Sequence, residues 1–284
     1  MLANLNDVLY DAQKNHYGVG LFNTTDSDML EAVISAAEEL RSPVIIGTAE
    51  VLLPYGELQL IGPAMVNMAK NASVPVVVHY DHGLTFERCL EALQIGFTSV
   101  MFDGSANELS ENLRATAEIV KIAHTFGATV EGEIGHVGDA INDDNATDDM
   151  YTTPKEAKDF VEATGVDALA IAIGTAHGAY KTKPRLDIGR LQQIRSTIDT
   201  PLVLHGGSGL SDDDFRNTIK NGIAKVNIFT DLCVAGERAV ANNIGDKSGF
   251  NEYLSLRAIK VEAMKKAVME KMMLFGSNGR VKIK

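Results

Sequence analysis

The sequence predicts an α/β fold, a (β/α)8 TIM barrel forming one domain over residues 1–284 with a C-terminal helical extension. Three observations predict it. Short β-branched runs alternate with longer segments whose apolar residues recur at helical spacing, which implies βαβ units and a parallel sheet. Eight such runs fit within 284 residues, matching the strand number and length of a closed barrel. No GxGxxG turn follows the first strand, which weakens a doubly wound open sheet as the rival. No low-complexity linker divides the chain.

The strands expected, in order, are Tyr17–Phe22, Pro43–Thr48, Pro75–Tyr80, Thr98–Phe102, Ala128–Ile134, Asp167–Ile173, Pro201–His205 and Ile223–Ile228. Helical spacing between them is clear in Met29-Leu30-Val33-Ile34-Ala37 and in Leu113-Ala117-Val120-Ile122. Two segments depart from the repeat. Gly135–Thr153 is a long loop rich in Gly, Asp and Asn, a length usual for functional lids. Its aspartates (Asp139, Asp143, Asp144, Asp148, Asp149) lack the glycine and terminal glutamate of an EF-hand, which excludes a dedicated calcium loop. After strand eight, Leu254–Leu274 reads as a long helix carrying methionines, suited to packing or to a subunit contact.

Composition narrows the function class. Apolar residues make up 45% and charged residues 23%, which suits a globular chain and excludes a disordered, collagen-like or small disulfide-stapled one. The net charge of -12 opposes binding to nucleic acid or to an anionic membrane. Cys89 and Cys233 lie far apart without a CxxC motif, so nothing suggests an oxidising compartment. No signal-like or membrane-spanning stretch is present. A soluble cytoplasmic protein is expected.

In a barrel, chemistry sits at the C-terminal ends of the strands. Those ends read Phe22-Asn23, His79-Tyr80-Asp81-His82-Gly83, Phe102-Asp103-Gly104-Ser105, Glu131-Gly132-Glu133, Gly174-Thr175-Ala176-His177-Gly178, His205-Gly206-Gly207-Ser208-Gly209 and Asn227-Ile228-Phe229-Thr230-Asp231. Four of the seven histidines thus share one face with carboxylates. His82, His177 and His205 come from three different strands, and three neutral imidazoles leave zinc an open position for substrate or water. A lone histidine is more often a hydrogen-bonded structural group. Convergence on one face favours metal. His16 and His124 sit in helical segments and keep the structural reading, while His79 looks like a partner of Asp81 behind the metal. Asp81 and His82 are adjacent, so both can face the site only if the chain turns there, which Gly83 makes easy.

Gly206-Gly207-Ser208-Gly209, with Asn227–Thr230 and the helix that Asp231 starts, forms a candidate phosphate loop. Backbone amides would hold an anion that the net charge does not attract. A metal beside a phosphate suits carbanion chemistry next to a ketone, with a carboxyl group shuttling the hydroxyl proton.

These stretches resemble the class II, zinc-dependent ketose-bisphosphate aldolases, especially the tagatose-bisphosphate and fructose-bisphosphate branch. The resemblance runs through SPVII at Ser42–Ile46, HYDHG at His79–Gly83, FDGS at Phe102–Ser105 and VEGEIG at Val130–Gly135. It continues in TGVDALAIAIGTAHGAY at Thr164–Tyr180, PLVLHGGSG at Pro201–Gly209, KVNIFTDL at Lys225–Leu232 and the terminal LFGSNGR. It implies reversible cleavage of a phosphorylated ketose to dihydroxyacetone phosphate and an aldehyde, by a cytoplasmic homodimer or homotetramer. It implies zinc on His82, His177 and His205, with Asp81 as the proton donor in condensation, and Asp103 and Glu133 as ligands of an alternative metal position. It further implies that Asn23, Gly178, Gly206, Gly207, Ser208, Asn227, Ile228, Phe229 and Thr230 hold substrate, with a monovalent cation (Na+ or K+) nearby. Arg257 matches an arginine that reaches the distal phosphate, in its own or a neighbouring subunit. The loop after strand five reads GHVGDAINDD, with His136 and aspartates where many relatives carry glutamates. FNTTD replaces the family's FNxxN at Phe22–Asp26.

Other readings of the same residues are distinguishable. A Schiff-base aldolase needs a lysine inside the barrel, and only Lys225 on strand eight stands near. A metal-dependent hydrolase barrel needs an HxH pair on strand one and an Asp ending strand eight, where Asn23 and Asn227 stand instead. A non-catalytic subunit that kept the fold predicts neither zinc nor cleavage.

Overall fold

The inward–outward alternation of the β-branched runs closes into a ring. The computed structural model describes residues 1–135, 138–139, 151–177, 184–245 and 250–282, and of residues 138, 139, 177, 250 and 251 the backbone alone. Eight parallel strands follow one another: β1 (Val19–Asn23), β2 (Val44–Ala49), β3 (Val76–Gly83), β4 (Ser99–Phe102), β5 (Thr129–Ile134), β6 (Ala168–Ile171), β7 (Leu202–Leu204) and β8 (Ile223–Ile228). Each pairs with its successor, and β8 returns to β1 with Asn227 beside Leu21 and Ile228 beside Phe22. The barrel expected from the sequence is the barrel found. The pair Leu2–Ala3 adds to the start of β3, and Gly138–Asp139 pairs with Ala176–His177.

Helices α1 (Leu5–Lys14), α2 (Ser27–Leu40), α3 (Leu58–Asn71), α4 (Phe86–Ile95), α5 (Leu109–Thr125), α6 (Pro154–Thr164), α7 (Ile188–Thr197), α8 (Asp212–Lys220), α9 (Thr230–Ala241) and α10 (Phe250–Phe275) complete the chain. Local signals start several of them. Asp26, Thr85, Thr153 and Ser211 each accept a first-turn amide through the side chain, satisfying a donor that the helix leaves open.

Outward strand residues such as Ile46, Val78, Val100, Val130 and Leu204 pack under the helices. The lower inward residues Val19, Leu21, Ile45, Val77, Ala168, Ala170, Val203 and Ala224 form a separate apolar cluster with Leu5, Val8, Leu9 and Ala12 of α1. That helix stoppers the N-terminal end of the barrel. The buried inward acids, histidines and asparagines lie toward the other end.

The C-terminal segment is the long helix expected, and one of its faces packs on the barrel. Helix α10 packs Val261 and Met264 against Met29 and Ala32 of α2, and Val268, Met272 and Phe275 join the outer core. Met264 and Met272 fill space within this chain, whereas Met273 is half exposed. Among the described residues, no helix is long and apolar enough to cross a membrane.

One local expectation changes. Strand three runs beyond Tyr80 to Gly83, and its register with β4 slips between Tyr80 and Gly83. The turn that brings Asp81 and His82 to one side is made at His82, whose φ is +44°, rather than at Gly83. A left-handed non-glycine residue costs roughly 1–2 kcal/mol, and such strain gathers at functional positions. Gly83 is needed for another reason: a Cβ there would lie 2.5 Å from Cys89 Sγ and 2.7 Å from the Met101 carbonyl.

Candidate active site

Inward positions near the strand ends carry charge instead of hydrocarbon. Asn23 ends β1, Asp81 and His82 lie on β3, Glu131 and Glu133 on β5, His205 follows β7, and Lys225 and Asn227 lie on β8. All but His82 are buried.

Asp81 sits at the centre. Its Oδ2 accepts from Asn23 Nδ2 at 2.8 Å, and Asn227 Nδ2 lies 3.1 and 3.2 Å from its two oxygens. His79 Nε2 stands 3.7 Å away, while His79 Nδ1 meets Ser99 Oγ at 2.7 Å. Burial alone would raise the Asp81 carboxyl, but the charges of His82, Lys225 and His205 and the nearby His79 hold it well below the usual carboxylate range. Asp81 is therefore a fixed anion gripped by two amides.

His82 and His205 face each other edge to face, with ring centroids 4.6 Å apart. Each ring has a carboxylate behind it: His82 Nδ1 lies 2.7 Å from Asp103 Oδ2, and His205 Nε2 lies 2.8 Å from Glu131 Oε1. His205 Nδ1 also lies 2.9 Å from Glu133 Oε2. Burial would lower both imidazoles, yet these acids outweigh it; His82 is raised by Asp81 and Asp103, and His205 is raised to about 10 by Glu131 and Glu133. Glu131 is held at about 2 against its own burial, by Lys225 and His205. Asp103 is held low against burial by His82 and Ser105.

Donor atoms of Asp81, His82 and His205 lie within 4.8 Å of one another, as do those of His82, Asp103 and Glu133. These residues fit a divalent metal. The rings are close enough to share one ion, and a carboxylate holding the opposite ring nitrogen is how ligating histidines are oriented. The expected third imidazole, His177, ends a two-residue strand whose backbone is described; its side chain lies outside the described residues. Gly178, with the neighbouring seat expected for a monovalent cation, lies outside them, as does His136.

Beside this cluster opens a cleft of about 270 Å³, lined by Asn23, Asp81, His82, Gly206, Gly207, Ser208, Asn227, Ile228, Phe229 and Thr230, together with Ala49, Val51 and Leu52. The structure thus gathers the expected substrate residues of strands one, seven and eight. Gly206 has φ +66°, and a Cβ there would fall 2.4 Å from the Ala176 carbonyl, so the turn requires glycine. Phe229 N donates to Ser208 Oγ at 3.4 Å, and no side chain caps α9, which begins at Thr230. Such a helix start offers amides to an anion. Arg257 does not line this cleft within the chain: on α10, it pairs with Asp28 Oδ1 at 2.9 Å and Glu31 Oε2 at 2.6 Å of α2. His16 ends outside α1, and His124 pairs with Asp167 at 2.9 Å, so neither joins the site.

Known proteins can now be set beside this geometry. The model of the family described as fructose-bisphosphate aldolase class-II matches residues 3–280. The chain belongs to that family. Its members are lyases of the aldolase type, and family membership implies a phosphorylated sugar as substrate. A fructose-bisphosphate aldolase of Geobacillus stearothermophilus is 37% identical over 287 residues, covering 98% of each chain. The protein YdjI of Escherichia coli K12, itself uncharacterized by name, is 41% identical over 281 residues and 99% of both chains. The crystal structure of the YdjI aldolase superposes with a TM-score of 0.87 at 38% identity, over 99% of this chain and 100% of that one.

Sequence reading missed two members of the cluster. Glu131 was visible in VEGEIG, where period-two alternation puts it on the same face as Glu133. Nothing in the sequence around Lys225 announces that it meets Glu131.

Proposed function

We propose that the chain is a zinc-dependent aldolase that reversibly cleaves a ketose bisphosphate, such as fructose 1,6-bisphosphate or tagatose 1,6-bisphosphate, to dihydroxyacetone phosphate and glyceraldehyde 3-phosphate. The observation that carries this reading is Asp81, an anion clamped by Asn23 and Asn227 beside two carboxylate-backed imidazoles. His82 and His205, with His177, would hold the metal, and Asp103 and Glu133 offer it a second position. Bound there, zinc supplies Lewis-acid polarisation of the ketone carbonyl.

In cleavage, an Asp81 carboxylate oxygen takes the proton from the hydroxyl next to the breaking bond. The O–H electrons form the aldehyde carbonyl and the C–C pair passes to the ketose fragment, which becomes dihydroxyacetone phosphate by taking one proton at that carbon from a donor other than Asp81. In condensation the same oxygen returns the proton. The two asparagine amides keep the carboxylate aimed during both directions. Gly206, Gly207, Ser208 and the start of α9 would hold the phosphate of dihydroxyacetone phosphate through backbone amides. We further read the protein as a cytoplasmic homodimer or homotetramer.

A second reading concerns the aldehyde. Apolar Val51 and Leu52 line the cleft, and Arg257 is engaged by two carboxylates of its own chain. Both favour an aldehyde without a phosphate. A coupled cleavage assay on a panel of ketose mono- and bisphosphates, with and without chelator, tests both. Turnover of bisphosphates that chelator abolishes supports the first; turnover confined to monophosphates selects the second. Inactivation by borohydride with substrate, but not by chelator, would overturn the metal reading.

A further inference from the structure

Below the metal-competent groups lies a charge that the proposed reaction leaves without a task. Lys225 on β8 is fully buried, and its Nζ lies 2.7 Å from Glu131 Oε2. Its register partners are Val19 on β1 and Val203 on β7, both in the apolar floor. The register between β7 and β8 shifts just before it, so that Val203 faces Lys225 rather than Ala224.

A buried ion pair seldom repays its own desolvation, and well-packed apolar side chains at such positions are often as stable. The arrangement of Glu131 suggests what the pair does. Lys225 engages Oε2, and Oε1 meets His205 Nε2 at 2.8 Å. Both ring nitrogens face carboxylates, so once a metal takes Nδ1 in place of its proton, the one ring proton left is on Nε2, where Glu131 can only accept it. Nδ1 is the nitrogen on the Glu133 side of the ring, toward the cluster. The same ammonium stands beside the deeper group His79, Asp81 and Glu131, whose donor atoms also lie within 4.8 Å of one another. A cation there would be repelled by it.

We propose that Lys225 is a positioning residue: by engaging Glu131 Oε2 it fixes the acceptor that sets the tautomer and orientation of His205, and it reserves the upper group for the metal. The proposal rests on His205 being a metal ligand.

Three variants test it, read by Zn2+ affinity in chelator competition, by the visible spectrum with Co2+, and by the thermal midpoint of the metal-free protein. Lys225→Met with Glu131→Gln removes both charges while keeping volume, so the fold is kept. It is expected to hold Zn2+ about 10–100-fold more weakly, the usual cost of losing the partner behind a ligand, with an altered Co2+ spectrum and a midpoint near wild type. Glu131→Gln alone is expected to be worse. Lys225 would take the single amide oxygen and turn the NH2 onto His205 Nε2, forcing the ring proton to Nδ1. Adding Lys225→Met should then recover several-fold in affinity, a rescue that a merely structural pair would not produce. Wild-type affinity and spectrum in the double variant overturn the proposal, as does a double variant no tighter than Glu131→Gln. The control is His205→Ala: if it keeps wild-type Zn2+ affinity, the metal reading and the proposal fall together, an outcome distinct from failure of Lys225 alone.

Discussion

The two ends of the barrel are built from the same alternating strands and differ in what their inward residues carry. At the floor, Leu21, Ile45, Val77, Ala170 and Val203 meet α1 in a dry apolar cluster. At the mouth, the next inward positions are Asn23, His79, Asp81, Glu133, His205 and Asn227. The floor keeps the local rules of stability in its apolar cluster and departs from them at buried Lys225, beside Val19 and Val203. The mouth breaks several: His82 has a left-handed backbone, and Asn23 Oδ1, Asn227 Oδ1 and His79 Nε2 are buried without a hydrogen bond. Stability is therefore concentrated where nothing reacts, and the strained, under-satisfied end is free to serve chemistry.

That division can be broken at either end. The largest effect is expected from Asp81→Ala, which should lower cleavage by about 10²–10⁴-fold, the worth of a positioned acid–base group, while Zn2+ remains bound. Turnover near wild type would remove Asp81 from the reaction. At the floor, Leu9→Ala should cost about 2–5 kcal/mol of stability, the range for a buried leucine, and leave kcat/KM unchanged. Denaturant titration and kinetics on the same sample check this; lost activity at unchanged stability would couple the two ends.

The next effect belongs to pH. Because His205 is raised to about 10 in the metal-free protein, Zn2+ held by this ring, as proposed, would displace its proton at any lower pH. This ring alone should weaken Zn2+ binding by about tenfold for each unit of acidification, with proton release visible by calorimetry in buffers of differing ionisation enthalpy. The same shift makes metal-free stability complete below about pH 6.5, the ordinary imidazole value. It fades as pH rises through about 10. A pH-independent affinity between 6 and 9, roughly the window in which only an imidazole so raised must still be deprotonated, contradicts the assignment. The smallest effect is Asn4→Ala, which removes the capping box of α1 and should cost about 1 kcal/mol with no change in turnover. A loss of activity there would show that the plug communicates with the mouth.

The sequence exposed much of both ends, for an identifiable reason. A strand turns successive side chains to opposite faces, so VVVHYD and VEGEIG already assign Val77, His79 and Asp81, or Glu131 and Glu133, to one face. Caps at Asp26, Thr85, Thr153 and Ser211 were equally local. Arg257 resisted, because its partners Asp28 and Glu31 lie on a helix at the far end of the chain's sequence. So did the turn at His82, where the register slip against β4, rather than the glycine beside it, sets the backbone.

By itself, then, the sequence determined the parallel barrel and the gathering of histidines and carboxylates at the strand ends. Both follow from periodicity within single segments. Only the tertiary structure decided who meets whom across the ring: Asn23 and Asn227 on Asp81, Glu131 between His205 and Lys225, and Met264 of α10 against α2. Those contacts depend on closure of eight strands in one register, a property that no single segment contains.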